Sequence, residues 1–306
     1  ASKTISTPVI TFDIGNDNIN INPTVTGSGS NFTAKYTVKN GKNGIIGNFS
    51  ISNFYDLAGN IGSRVTSLTS GSTVTVDTIL PILNTVTISS NNTTSTLAKE
   101  GDIITLTIIA SESITKPTVL FGIGSDSVIP TVNGSESTYT ATYTVTNGEN
   151  GVVGNFSISN FSDLTGNIGS TVTSLTGGST ITVDTVLPVL NTVTISSNNT
   201  TSTLAKEGDI ITINMNSSKI ITSPVVTFEI GSDTITPAIS GSETSYSATY
   251  IVTNNKNGEI KNLSISNFSD ITGNIGQTVT NFTDDSKVTV DTLAPTLNSV
   301  IIESNN

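Results

Sequence analysis

Short alternating runs of apolar and polar residues, separated by glycine and asparagine, cover the whole chain. In the clearest run, residues 139–145, the side chains of Tyr139, Ala141, Tyr143 and Val145 fall on one face of a strand. Alternation with a period of two is typical of half-buried β-strands. No segment keeps a helical period over three turns. The pattern therefore predicts an all-β chain, with the two tyrosines on a core face rather than on a carbohydrate-binding surface.

Around this run the pattern predicts eight strands. They are expected at 86–89, 103–109, 118–123, 128–132, 139–145, 156–161, 171–175 and 180–183. Turns rich in glycine and asparagine, such as 147–151, separate them. Phe156 and Phe161 have opposite parity in one run, so without a bulge the alternation does not require both to be buried. Seven or eight short strands in about 100 residues predict a sandwich of two β-sheets.

A repeat of 107 residues organises the chain. Residues 84–105 read NTVTISSNNTTSTLAKEGDIIT and recur letter for letter at 191–212. At the same spacing, Asp-x-x-Gly-Asn begins at Asp56, Asp163 and Asp270, and Val-Asp-Thr is centred on Asp77, Asp184 and Asp291. This period is too long for a solenoid and has the size of a domain with its own core.

The repeat predicts four segments joined by short linkers. Position 1 matches Ala110, so the module at 1–79 is expected to lack its first strands, and two full modules follow at 80–186 and 187–293. Residues 294–306 match the first strand of a further module, as in a fragment of a longer array. In the alternative interpretation, the open ends complement each other between chains by strand donation. Short, proline-containing linkers predict modules arranged end to end as a rod.

Composition narrows the classes of function. The 306 residues include no Cys, His or Trp, which removes thiolate sites and the usual histidine base or metal ligand. A net charge of −11 argues against nucleic-acid binding. No run reaches the roughly 18 apolar residues of a membrane helix. We therefore predict that this chain does not insert into a membrane. No module gathers catalytic groups that the other modules lack, so we also predict that the protein is not an enzyme.

Four motifs carry a resemblance to a known family. They are Val183-Asp184-Thr185-Val186-Leu187-Pro188, Lys99-Glu100-Gly101-Asp102, Ala110-Ser111-Glu112 and Asp163 to Asn167. Their order resembles that of tandem bacterial and archaeal immunoglobulin-like (Big-type) modules of large cell-surface adhesins and surface-layer proteins. The resemblance covers the whole chain and implies seven-stranded sandwiches, an extracellular or cell-surface setting, and a spacer or self-assembly role. In the third module, Ser218 is expected at the place of Glu112.

Acidic residues lie where the modules are expected to meet, which makes the junctions candidate calcium sites. Calcium takes six to eight oxygen ligands. In a sandwich, Asp184 is expected near Glu100 and Asp102 of its own module, facing the loop that begins at Asp270 in the next one. The resemblance adds that some relatives bind calcium at module junctions. The candidates are Asp77, Asp184, Asp291, Glu100, Asp102, Glu207, Asp209, Asp163 and Asp270. The alternative is that these residues only cap turns.

Three functions fit these features. The chain is expected to be a stalk or spacer of an adhesin, with neighbouring modules of the same longer chain as its partners. The alternative is a self-assembling subunit of a surface layer, sheath or extracellular filament, which would associate with its own copies through exposed edge strands. A lectin-like module ranks last, because aromatic residues make up only 5% of the chain and lie within strands.

Overall fold

The chain folds into β-strands, as its alternating pattern predicts. The computed structural model describes residues 1–304, in which 23 strands form three consecutive modules. Over that range, no helix has the length and apolar character needed to cross a membrane. The predicted fold class, all-β with tandem sandwich modules, is confirmed.

The first module has five strands in two small sheets. The strands are β1 (Val9–Ile14), β2 (Thr24–Ser28), β3 (Asn31–Lys35), β4 (Gly44–Ser52) and β5 (Thr75–Val76). One sheet has the order β1-β4-β5, and β2 and β3 form a separate hairpin. Because so few strands face each other, the buried core is small and consists of Ile14, Ile21 and Val76.

The second module is a complete sandwich. Its strands are β6 (Leu83–Ser90), β7 (Leu97–Ala98), β8 (Ile103–Ala110), β9 (Thr118–Ile123), β10 (Asp126–Val128), β11 (Thr131–Ser135), β12 (Thr138–Thr144), β13 (Gly151–Ser159) and β14 (Ile181–Val183). One sheet has the order β11-β12-β8-β6 and the other β10-β9-β13-β14-β7. The short strand β7, which the alternation does not predict, pairs in parallel with β14.

The third module repeats this strand order. Its strands are β15 (Leu190–Ser197), β16 (Leu204–Ala205), β17 (Ile210–Ser217), β18 (Val225–Ile230), β19 (Asp233–Ile235), β20 (Ala238–Ser242), β21 (Ser245–Ile251), β22 (Gly258–Ser266) and β23 (Thr289–Val290). The sheets have the orders β15-β17-β21-β20 and β16-β23-β22-β18-β19. Each complete module therefore buries its own hydrophobic core between two sheets.

The run at 139–145 lies on the core face, as predicted. Tyr139, Ala141 and Val145 are buried, and Tyr143 is half-buried at the edge of the core. The Tyr139 hydroxyl donates a hydrogen bond to the backbone oxygen of Ile114 (2.9 Å), so its polar end is satisfied inside the sandwich. These tyrosines are structural and form no exposed aromatic surface.

Two local predictions need correction, and the structure decides one point that the alternation left open. The strand expected at 128–132 is two strands, because Pro130 between β10 and β11 has no amide hydrogen for a ladder. The strand expected at 171–175 is a single bridge between Val172 and Ile158, since the edge of β13 is already paired with β14 nearer its start. Phe156 and Phe161 are both buried, because β13 ends before Asn160, whose φ of 56° turns Phe161 back to the core.

The two ends of the described chain differ from the complete modules. The first module has no counterpart of β6 and β8, and an apolar groove of about 510 Å³, lined by Phe32, Ile51 and Phe54, lies on its open side. In the second module, where those strands are present, the equivalent Tyr139 and Ile158 are buried. Of the segment at 294–306, residues 294–304 form no strand and the last two lie outside the described residues.

Candidate cation site at the module junctions

Each linker begins with an aspartate that closes a tight turn. Asp77 Oδ1 accepts a hydrogen bond from the backbone amide of Ile79 (2.9 Å), and Asp184 Oδ1 accepts one from Val186 (3.0 Å). Asp291 makes the same turn at the end of the third module. The side chains of Asp77 and Asp184 are thus held at the two junctions between modules. The first junction is the linker at 77–82 and the second the linker at 184–189.

The loop at 163–167, in the second module, places a buried carboxylate opposite the first linker. Asp163 Oδ1 accepts hydrogen bonds from the backbone amides of Thr165 and Asn167, both at 2.8 Å. Asn167 Nδ2 donates to Asp163 Oδ2 (2.7 Å). Burial opposes ionisation, but the hydrogen bonds from Asn167 and Thr165 outweigh it and lower the pKa of Asp163 to about 2. The carboxylate is therefore ionised and fixed in position at neutral pH.

The same asparagine ties the loop to the preceding module. Asn167 Nδ2 donates to the backbone oxygen of Asp77 (3.1 Å), and Asn274 Nδ2 donates to that of Asp184 (2.9 Å). At the second junction Asn92 adds another bond, to the backbone oxygen of Thr272 (3.0 Å). The Asp-x-x-Gly-Asn motif is therefore a structural turn and an inter-module contact at once.

Three carboxylates converge at the first junction. Asp77, Glu112 and Asp163 each place one oxygen within 4.8 Å of the other two. Glu112 follows β8 and is half-buried, and among residues 1–304 its carboxylate accepts no hydrogen bond. Nor does any described lysine or arginine form an ion pair with the three. Burial, together with repulsion by Asp77 and Asp163, raises the pKa of Glu112. The junction thus concentrates negative charge without a protein counter-charge.

A lysine fills the equivalent place at the second junction. Lys219 Nζ donates to Asp184 Oδ1 (2.8 Å), Asp184 Oδ2 (2.7 Å) and Asp270 Oδ2 (3.1 Å), and it also bonds the backbone oxygen of Val186. Burial opposes the charge, but the hydrogen bonds to Asp184 and Asp270 raise the pKa of Lys219. Four oxygen atoms therefore surround one ammonium group.

The hydrogen bonds of the linkers show which residues correspond. Ser111 Oγ accepts a bond from the amide of Ile82 at the first junction (3.1 Å), and Ser218 Oγ accepts one from the linker amide at the second (3.0 Å). Ser218 is thus the counterpart of Ser111, and Lys219, one repeat of 107 residues after Glu112, is the counterpart of Glu112. The expectation that Ser218 takes the place of Glu112 is wrong.

Two other aspartates on the candidate list have lysine partners within their own turns. Asp102 accepts hydrogen bonds from Lys99 Nζ (2.8 Å) and from the Lys99 amide (2.9 Å). Asp209 accepts a bond from the Lys206 amide (2.8 Å), with Lys206 Nζ at 3.8 Å. The Asp184 amide donates to the backbone oxygen of Ala98 (2.9 Å), beside the first of these turns, while its carboxylate bonds Lys219 of the next module. Asp102 also lies beside the second junction, because Asn92 Nδ2 donates both to Asp102 Oδ2 (2.7 Å) and to the backbone oxygen of Thr272.

The remaining candidates stand apart from the clusters. Glu100, Glu207 and Asp291 are exposed, and none of them belongs to the three-carboxylate group. The residue absent from the predicted set is Glu112. Its counterpart in the next repeat, Lys219, has the opposite charge, which is one of several charge differences between the two repeats.

The raised pKa of Glu112 gives an expected pH dependence. A carboxyl whose pKa is raised by folding stabilises the fold below its unfolded pKa, and this contribution is lost as the pH rises through the folded pKa. In chelator, we expect the first junction to lose stability as the pH rises above 4.5, the ordinary value for glutamate. Asp163, with a pKa of about 2, does not titrate in this window.

Hydrogen exchange of residues 77–82 and 163–167 at about pH 5 and about pH 7.5 measures the effect. Glu112→Gln should reduce the change in opening free energy between the two pH values. Subtracting the change in the variant from that in the wild type cancels the contributions of other titrating groups. Equal slopes in wild type and variant would contradict the assignment of this charge to Glu112.

The chain is similar to known proteins in structure and not in sequence. No known protein family matches the chain, and no curated protein is similar to it in sequence. Domains D1-D2 of the protein Rst align at 12% identity over 70% of this chain and 100% of theirs, with a TM-score of 0.32. Fibronectin(III)-like modules of Clostridium thermocellum CbhA align at 14% identity over 67% and 94%, with a TM-score of 0.25. The I9-I11 tandem of titin aligns at 8% identity over 95% and 90%, with a TM-score of 0.28. These TM-scores are low, so the assignment of immunoglobulin-like sandwiches rests on the strand order.

Proposed function

We propose that the chain is a non-catalytic structural repeat region of a large extracellular cell-surface protein, where it acts as the stalk or spacer of an adhesin. The observation that carries this proposal is the bonding of each linker to the module that follows it. Asn167 and Asn274 bind the backbone oxygens of Asp77 and Asp184, so the same contact recurs at both junctions. A spacer needs each module to add a fixed length, and fixed junctions supply that property.

Short linkers support the same function. Six residues separate β5 from β6 and six separate β14 from β15, and the prolines Pro81 and Pro188 within them are buried. Proline restricts its own φ and the conformation of the residue before it. Bending and twisting at the junction are further opposed by the hydrogen bonds of the asparagine side chains. Successive modules are therefore proposed to form a stiff rod.

Calcium belongs to this proposal at the first junction. The ligands are the carboxylates of Asp77, Glu112 and Asp163, which are hard oxygen donors, and the chain offers no thiolate or imidazole to select a softer metal. An ion shared by Asp77 from one module and by Glu112 and Asp163 from the next would brace the junction. We expect an affinity of about 10⁻⁴–10⁻³ M, as in the calcium sites of extracellular modules.

Small-angle X-ray scattering over a concentration series tests the proposed rod. We expect a constant mass and an elongated shape whose cross-section is that of one sandwich. Asn274→Ala removes the bond to the second linker and should increase flexibility, whereas Asn281→Ala, an exposed residue that bonds only its neighbour Thr280, should not. A mass that grows with concentration would instead support the alternative of a self-assembling subunit of a surface layer, sheath or filament.

A further inference from the structure

The charge of one residue position differs from module to module. Lys3, Glu112 and Lys219 follow one another at equivalent places, each facing the aspartate of its own Asp-x-x-Gly-Asn loop. Lys3 Nζ lies 2.5 Å from Asp56 Oδ2, and Lys219 Nζ lies 3.1 Å from Asp270 Oδ2. Glu112 instead brings a third negative charge to the first junction. At this position Lys3 and Lys219 neutralise the loop aspartate, whereas Glu112 adds a negative charge beside it.

Lys219 reveals where a cation sits in this fold. Its ammonium group bonds both oxygens of Asp184, one oxygen of Asp270 and the backbone oxygen of Val186. This cluster spans the second junction, because Asp184 precedes the linker and Asp270 belongs to the next module. A positive charge at this point is thus already bound by oxygen atoms from both modules. That contact is independent evidence that the equivalent point at the first junction favours a cation.

The first junction has the same framework without the ammonium group. Asp77 corresponds to Asp184 and Asp163 to Asp270, and their turns make the same backbone hydrogen bonds. The loop asparagine bonds the linker in both places. The difference is the side chain of Glu112, which places a carboxylate where Lys219 places a charge of opposite sign. A cation at this point must therefore come from solution.

We propose that the residue at this position selects the cation of each junction, with a lysine supplying a built-in ammonium and a glutamate recruiting a free calcium ion. This inference rests on the proposed function of the junctions as fixed joints. It limits calcium dependence to the first junction, whereas the second is locked by Lys219 whether or not calcium is present. A rod with this arrangement has one joint that responds to calcium and one that does not.

Reciprocal exchange of the two residues in the full chain tests this inference. Isothermal titration with calcium chloride, after treatment with chelator, should give one site in the wild type and none in Glu112→Lys. Lys219→Glu should give two sites, and the double exchange should move a single site to the second junction. At the first junction, Glu112→Lys should weaken calcium binding by at least about tenfold, since the lysine removes a ligand and repels the ion.

Melting curves distinguish binding from folding. Glu112→Lys completes an ion pair and should raise the melting temperature in chelator, so this variant remains informative even if Lys219→Glu folds only with calcium. Unchanged calcium binding in Glu112→Lys, or no second site in Lys219→Glu, would overturn the inference. A different result would contradict the proposed rod: small-angle X-ray scattering would show bent or associating molecules whichever residue stands at positions 112 and 219.

Discussion

Replacing Lys219 by methionine is expected to destabilise the second junction and the adjoining third module by about 3 kcal/mol. Methionine keeps the aliphatic length but removes the ammonium group that binds Asp184 and Asp270. The side chain of Asp270 is only 2% exposed and would be left beside Asp184 without a counter-charge. The estimate takes the low end of the range for a broken buried pair, because Lys219 and Asp184 remain about a quarter exposed.

The control for this change lies in the same module. Lys206→Met removes a lysine that is 71% exposed and 3.8 Å from Asp209, so we expect a loss below about 1 kcal/mol. Native-state hydrogen exchange reports the opening free energy of each segment in the intact chain. Because the pKa of Lys219 is raised, its stabilisation is present below 10.5 and is lost as the pH rises through its folded pKa. Equal effects of the two variants would contradict the role of Lys219.

Replacing Gly169 by alanine is expected to cost about 2–3 kcal/mol in the second module. An added Cβ would lie 2.0 Å from Cε2 of Phe161, whose ring is among the largest fully buried side chains. The ring is 1% exposed and packs within the core of the second module, so a shift would disturb its neighbours. The Gly169 amide also donates to the backbone oxygen of Phe161 (3.0 Å), which closes the base of the loop at 163–167. We therefore expect the variant to displace Asp163 and to weaken calcium binding as well.

A second glycine provides the matched control. Gly154, in β13, has an ordinary φ, and a Cβ there would meet only Val152 Cγ1 at 3.6 Å. Gly154→Ala should change the free energy of unfolding by less than about 1 kcal/mol. Chemical denaturation followed by circular dichroism compares the two variants. If Gly169→Ala were no more costly than Gly154→Ala, the contact between Phe161 and the glycine would not constrain the loop.

The sequence alone was sufficient for the fold class, because strand periodicity and the repeat are both properties of local pattern. The run at 139–145 shows this, since its alternation places Tyr139 and Ala141 in the core as predicted. The two buried phenylalanines were harder to place. Phe161 follows the end of β13, and a residue with positive φ, Asn160, returns it to the core. Strand alternation does not predict this turn of the backbone at Asn160, because the alternation assumes that the strand continues.

The site was less predictable, because it depends on contacts between modules. Two members of the three-carboxylate group, Asp77 and Asp163, were predicted, since their motifs mark the linker and the loop. Asp184 and Asp270 are also among the predicted residues, but the sequence did not show that Lys219 lies between them. Glu112 was missed because its charge difference from Lys219 is one of several between the two repeats, such as that between Glu149 and Lys256, and only the contacts show which of them lies at a junction.

The most direct test of the account measures distances across both junctions in one chain. The protein contains no cysteine, so single cysteines introduced at Thr26, Asn133 and Ser240 allow unique spin labels. These exposed residues hold equivalent positions in β2, β11 and β20, which makes the two distances comparable. Labels are placed in pairs, Thr26 with Asn133 and Asn133 with Ser240. Pulsed electron paramagnetic resonance then gives each distance distribution with calcium and with chelator.

We predict that the distribution across the first junction is narrow with calcium and broadens in chelator, while the distribution across the second stays narrow in both. In Glu112→Lys the first distribution should be narrow without calcium. Two distributions that broaden together, or a first junction that is equally narrow with calcium and with chelator, would contradict the account.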